Sequence, residues 1–205
     1  RDSSVSKASP PPVVLVFAGT DPTGGAGLTA DVLALASLGC HGAGVVTAVP
    51  AQDTTGIKEF ICVETELVIA QARAVLEDMP VAAFKIGMLG SSAVAAAVAS
   101  IVEDYPDIPL VVDPVQSSGR GDALADDMLD GALRSLIIPQ ATLITPNSLE
   151  ARALAPGGDT LDACAQELMS LGSEYVLITG THENTPQIIH RLYGNMRLLE
   201  TFVFE

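Results

Sequence analysis

Positive charge is scarce in this sequence. Ten Lys and Arg stand against 25 Asp and Glu, a formal net charge of −15, and no three basic residues are adjacent. Such a field repels nucleic-acid phosphates and anionic membrane surfaces, so neither is an expected partner. Cysteine is scarce as well. Cys40, Cys62 and Cys164 are widely spaced and odd in number. They offer neither a disulfide framework nor a Cys-x-x-Cys metal site, and a reducing cytoplasm is the expected compartment. A long apolar run is also missing. Residues 32–52 contain no Asp, Glu, Lys or Arg, yet Gly39, His41, Gly42, Gly44, Pro50 and Gln52 interrupt them. The pattern reads as helix, turn and strand rather than a membrane span. No apolar run precedes Val13, because Arg1-Asp2 leads into Ser-rich residues and Pro10-Pro11-Pro12. No secretory signal is expected. Eighteen Gly and 13 Pro amount to about 15% of the chain, below the share that marks low complexity.

What is present points to one compact folded unit. The chain has 205 residues with 48% hydrophobic content, enough for one sizeable core. We expect a disordered arm at 1–11 and a single domain over 12–205. Val13-Val14-Leu15-Val16-Phe17 is a continuous apolar run of the kind buried on both faces of a parallel sheet, which predicts a central first strand. Helix then follows over Leu28 to Leu38, closed by Gly39. The alternation continues with strands at 45–49, 82–86, 110–112, 142–144 and 175–178, and helices at 66–77, 92–103, 123–136 and 161–171. Such βαβ units specify a doubly wound, mostly parallel α/β sheet with helices on both faces. A hairpin through Gly194-Asn195 is expected at the sheet edge, joining 188–193 to 198–204.

In open parallel sheets, ligands bind beyond the carboxyl ends of the strands, which directs attention to the residues after each apolar run. The first is the glycine-rich turn Gly19 to Gly27, with Asp31 one turn into the helix. Gly19 and Gly24 have phosphate-loop spacing, but Gly25 stands where that loop needs Lys, and the Gly-x-Gly-x-x-Gly spacing is absent. The glycines still let backbone N–H groups approach a polar ligand at a helix N-terminus; the alternative is a simple tight turn. Later strand ends deliver Gln52, Gly87-Met88, Asp113-Pro114-Val115, and Thr145-Pro146-Asn147 with Glu150. Asp113 and Glu150 are hard oxygen ligands suited to Mg²⁺ bridging to phosphates. Helix capping by Asp113 and Asn147 is the competing use. Gly119-Arg120-Gly121-Asp122 resembles the Gly-x-Gly-Asp motif of sugar kinases, but it precedes the Asn147 segment and Asp122 reads as the N-cap of helix 123–136. His41, His182 and His190 show no metal-ligand spacing, and Lys85, inside a strand, reads as structural.

Together these segments resemble the hydroxymethylpyrimidine/phosphomethylpyrimidine kinases of thiamine biosynthesis, within the ribokinase-like superfamily. The resemblance runs from about Val13 to Gly180. It rests on Ala18 to Gly27 with Ala30-Asp31, Thr47-Ala48 through Ala51-Gln52-Asp53-Thr54, Lys85 to Leu89, Val112 to Val115 with Ser118-Gly119, and Leu143 to Asn147 with Glu150. It implies a ribokinase-like three-layer sandwich that uses ATP to phosphorylate 4-amino-5-hydroxymethyl-2-methylpyrimidine and then its monophosphate. By that resemblance Gly19, Ala26, Asp31, Gln52, Met88 and Val115 would contact the pyrimidine. Asp113, Asn147, Glu150, Thr179 and Gly180 would serve the nucleotide, Asp113 and Glu150 would face Mg²⁺, and the protein would be a homodimer. The family continues past a strand like 198–204 into a Gly-[Ser/Thr]-Gly-Cys segment that forms its anion hole. This sequence ends at Glu205, and its cysteines all lie upstream, so no catalytic residue is assigned. Pro50 and Gln116-Ser117 also depart from the family pattern. Alternatives that stay open are a longer chain carrying the missing segment, a pyridoxal kinase, and a pyrimidine-binding module without full activity.

Overall fold

The computed structural model describes residues 9–115, 128–180, 182–183 and 186–204. The first strand, β1 (Val13–Ala18), is buried at five of its six positions. Such a strand needs partners on both edges and cover on both faces. It pairs in parallel with β2 (His41–Val46) on one side and β5 (Val81–Ile86) on the other. Helix α1 (Gly27–Ser37) provides the crossover to β2 and ends at Gly39, whose φ of +78° suits only glycine without strain.

The chain then leaves the sheet. Strands β3 (Ala48–Asp53) and β4 (Gly56–Cys62) form a separate antiparallel hairpin. It is rooted at Thr47, whose N–H donates to Ala18, whose carbonyl accepts from the Val63 N–H, and whose hydroxyl donates to the Met88 carbonyl at 2.5 Å. Helix α2 (Thr65–Asp78) returns to the sheet, and its Gln71 amide bonds both the N–H and the carbonyl of Val46. A side chain thereby closes the backbone valences at the end of edge strand β2.

After β5 come α3 (Ser92–Glu103), β6 (Leu110–Val112), the short α4 (Leu129–Ala132), β7 (Leu143–Ile144), α5 (Ser148–Leu154), α6 (Leu161–Ser170) and β8 (Tyr175–Ile178). Helix α3 is capped by Ser91 and buries Val94, Ala95, Val98, Ala99, Ile101 and Val102 on the stripe that i, i+3, i+4 spacing creates. Two antiparallel strands, β9 (Ile188–Gly194) and β10 (Arg197–Phe204), finish the eight-stranded sheet, in the order β10-β9-β8-β7-β6-β5-β1-β2. No described helix is long and apolar enough to cross a membrane.

The doubly wound reading therefore holds, with local corrections. β1 is not central but one strand from the edge, because only β2 lies outside it. The apolar run 45–49 is not one strand: the chain breaks direction at Thr47, so Gln52 sits on the hairpin rather than just past β2. From Leu129 the expected continuous helix becomes one α-turn, a π-turn over Leu133–Ile137 and a 3-10 turn over Ile138–Gln140. Pro139 has no N–H to continue an α-helical ladder. The tip of the last hairpin is Asn195-Met196, both at positive φ, one residue later than expected. Gln116 to Asp122 and residues 123–127 lie outside the described residues.

Candidate active site

The glycine-rich turn is built around one buried carboxylate. Asp21 accepts from the Thr23 N–H at 2.8 Å, the Thr23 hydroxyl at 2.9 Å and the Ala26 N–H at 2.9 Å. The loop closes where the Leu28 N–H donates to the Gly19 carbonyl at 2.8 Å. Gly27 has a φ of +59°, and a Cβ there would lie 2.5 Å from the Gly19 oxygen. Only glycine fits that corner, and the turn thereby holds the chain against the end of β1.

Beyond the ends of β1, β5 and β6, under the β3–β4 hairpin, lies a cavity of about 320 Å³. The order of strands reverses here, since the chain moves from β1 outward to β2 and then back to β5. Six residues predicted for the substrate, Gly19, Ala26, Asp31, Gln52, Met88 and Val115, line it together with Asp113. One wall is apolar: Met88 and Ala48 are buried, and Ile57, Phe60 and Val115 pack against them. Gly19 is small for a reason, because a Cβ there would stand 3.2 Å from the Met88 sulfur.

Another part of the lining is charged. Lys85 Nζ lies 2.8 Å from Asp31 Oδ2, with both side chains 22% exposed. Burial holds the Asp113 carboxyl above its ordinary pKa, the Lys85 charge opposes that rise, and Asp31 adds to it. Lys85, expected to be merely structural, is therefore a wall residue. Its signal in the sequence was a lone cation one residue before a strand end, between the apolar Phe84 and Ile86. Ile57 was missed as well, because nothing in its local pattern announced the second strand of the hairpin.

The residues predicted for the nucleotide stand farther along the same rim, past β7 and β8. The Asn147 Oδ1 accepts from the N–H groups of Leu149 and Glu150, both at 2.9 Å, and Glu150 Oε2 accepts from the Asn147 N–H at 2.9 Å. This reciprocal capping box commits the Asn147 oxygen and one Glu150 oxygen to α5. Asn147 also forms an isolated bridge with Thr179. The Gly180 N–H donates to His190 Nδ1 at 3.2 Å, and a Cβ on Gly180 would collide with the Ile189 carbonyl at 2.1 Å. None of these four residues lines the cavity. Among the described residues no group of three His, Cys, Asp or Glu gathers to hold a metal. The donors present fit a magnesium ion that keeps most of its waters and arrives with phosphate ligands, since such an ion needs only one or two protein carboxylates.

A three-layer α/β sheet with a cavity at its switch point defines the doubly wound class, whose small-molecule sites lie beyond the carboxyl ends of the strands. Comparison with known proteins narrows it. The phosphomethylpyrimidine kinase family profile matches residues 21–202, and the chain belongs to that family. A hydroxymethylpyrimidine/phosphomethylpyrimidine kinase of Mycobacterium bovis is 42% identical over 177 residues, 84% of this chain and 64% of that protein. The chain thus spans less than two thirds of that relative's length. The Escherichia coli K12 protein of the same name is 37% identical over 191 residues, 89% of this chain and 72% of its own. Among solved structures, phosphomethylpyrimidine kinase from Clostridium difficile 630 superposes with a TM-score of 0.83 at 31% identity, covering 94% of this chain and 84% of that one. The ADP complex of Bacillus subtilis pyridoxal kinase gives 0.82 at 28% identity, covering 95% and 75%.

Proposed function

We propose that the chain forms the substrate-binding body of an ATP-dependent hydroxymethylpyrimidine/phosphomethylpyrimidine kinase. The observation that carries this reading is the convergence of Gln52, Asp31, Met88 and Val115, distant in sequence, on one cavity sized for a single small ring. Gln52 offers a donor and an acceptor to a ring nitrogen and its neighbouring amino group, while Met88, Ile57 and Val115 take the ring faces. The hydroxymethyl group would point along the rim toward β7 and β8, where Asn147, Glu150, Thr179 and Gly180 would meet the nucleotide. Asp113, between the two regions, would hold magnesium with help from Glu150. Bound magnesium would neutralise charge on the transferring phosphate. In an acidic chain that local cation is needed, because the protein's own field opposes a nucleotide triphosphate.

A cytoplasmic homodimer is the setting that fits. Leu33 on α1, Leu38 just past its end, and Val49 and Ile61 on the hairpin are large apolar side chains left exposed. Pyridoxal is the competing substrate, favoured by the close superposition on pyridoxal kinase.

The test is ADP release by the 205-residue chain, supplied with magnesium, ATP and either hydroxymethylpyrimidine or pyridoxal. Faster turnover of the pyrimidine supports the proposal, and faster turnover of pyridoxal reassigns the pocket. Calorimetry that detects pyrimidine binding with no ADP would leave a binding module. In the same calorimeter Gln52→Ala should weaken pyrimidine binding about 5- to 100-fold, because ring polar atoms lose their partner, and leave ATP binding nearly unchanged. Equal loss of both would contradict the assignment.

A further inference from the structure

Charged wall residues of the cavity are unevenly partnered. Asp21 is occupied by the backbone of its own loop. That leaves Asp31 on α1 and Asp113 after β6 as the remaining acids of the cavity, with Lys85 as its single cation among the described residues. Lys85 is an expensive residue at that place. It lies opposite Val16 of β1 and Val111 of β6 within a parallel sheet, where an unpaired ammonium would be strongly disfavoured. The fold makes room for it. A Cβ on Gly87 would stand 3.0 Å from Lys85 Nζ, so the bare backbone at Gly87 lets the ammonium reach the cavity wall.

We propose that Lys85 is a positioning residue: its ammonium fixes the Asp31 carboxylate on the cavity wall, where that carboxylate accepts from an exocyclic N–H or O–H of the ring substrate. This rests on the pyrimidine reading above and adds to it a recognition rule. The preferred ring carries a hydrogen-bond donor on the side facing α1, and a ring lacking that donor is rejected. The ammonium–carboxylate contact at 2.8 Å orients one carboxylate oxygen, leaving the other for the ligand. Removing the ammonium would release the Asp31 side chain and leave it facing Asp113 with no compensating charge.

A double-mutant cycle read by calorimetry tests this, with hydroxymethylpyrimidine as the probe and a non-hydrolysable ATP analogue as control. Lys85→Met and Asp31→Asn should each weaken pyrimidine binding at least tenfold and leave the analogue's affinity unchanged. The double variant should be no weaker than either single one, since both remove the same contact. Lys85→Arg should recover part of the loss. Gly87→Ala, which displaces only the tip of a flexible side chain, should give a smaller loss of the same selectivity. Multiplying effects in the double variant, or an equal loss for the ATP analogue, would overturn the proposal. If the parent chain binds pyridoxal and not the pyrimidine, the substrate reading fails but the cycle is run unchanged with pyridoxal. A crystal structure of Lys85→Met without ligand supplies a readout independent of both: Asp31 should leave the wall, and an unmoved carboxylate would refute the role.

Discussion

Asp113 shows how a single residue can work against the fold that holds it. Its carboxyl is held above the ordinary pKa chiefly by burial, so the folded state binds its proton more tightly than the unfolded chain does. Stability from that group is therefore present at low pH and lost as pH rises through the folded-state value. Replacing Asp113 by Asn should raise the thermal midpoint near about pH 7.5, with the gain vanishing toward about pH 4. Melting curves at both pH values check the sign. In the same variant turnover should fall by roughly tenfold or more if the carboxylate meets the metal. Sequence alone could nominate Asp113, because strand ends are where ligands gather, whereas Gln52 reaches the cavity from the hairpin and not from the end of β2. It offered capping as the competing use of Asn147 but could not choose between capping and ligation, since the spacing that makes a capping box with Glu150 is also the spacing that places two ligands on one helical face. Nor could it show Lys85 at the cavity wall: an isolated lysine in an apolar strand looks the same whether it snorkels to solvent or crosses under a helix to Asp31.

At the scale of elements, the last hairpin carries an identifiable flaw. Its two-residue tip places Asn195 at φ 51° and Met196 at φ 60°. Asparagine tolerates that region, but methionine pays in steric crowding at Cβ, and the second place of such a turn is where glycine is preferred. Met196→Gly should stabilise the chain by about 0.5–1 kcal/mol, read as a higher urea midpoint at an unchanged slope. The elements that sequence reading placed best were those with a single period along their length, such as α3 and β8. Where two structures share one apolar run, as at Val45 to Val49, composition shows burial without direction, and only Thr47's bonds to Ala18, Val63 and Met88 reveal the break. The π-turn after α4 was illegible for a similar reason: Leu133 to Ile137 has ordinary helical composition, and its widened bond from the Ile138 N–H to the Leu133 carbonyl runs directly into Pro139.

For the whole molecule, charge is the dominant long-range property. A net charge of −15 on 205 residues makes compaction work against self-repulsion, and that repulsion reaches farther in dilute salt. Raising sodium chloride from roughly 0.01 M to 0.15 M should lift the thermal midpoint by a few degrees. A midpoint that ignores salt would mean that the acids are already neutralised by local pairing. The overall architecture was legible because parallel βαβ topology follows from alternation and handedness, whereas the β3–β4 excursion breaks that grammar. Its attachment through Thr47 has a mechanical outcome. One foot, Thr47, bonds Ala18 at the end of β1 and Met88 just past β5, the other, Val63, bonds back to Thr47, and at the tip the Asp53 carboxylate accepts from Thr55. Gln52 and Ile57 therefore reach the cavity from a ribbon rooted at a single threonine and pressed onto Ala48 and Met88 by Ile57 and Phe60.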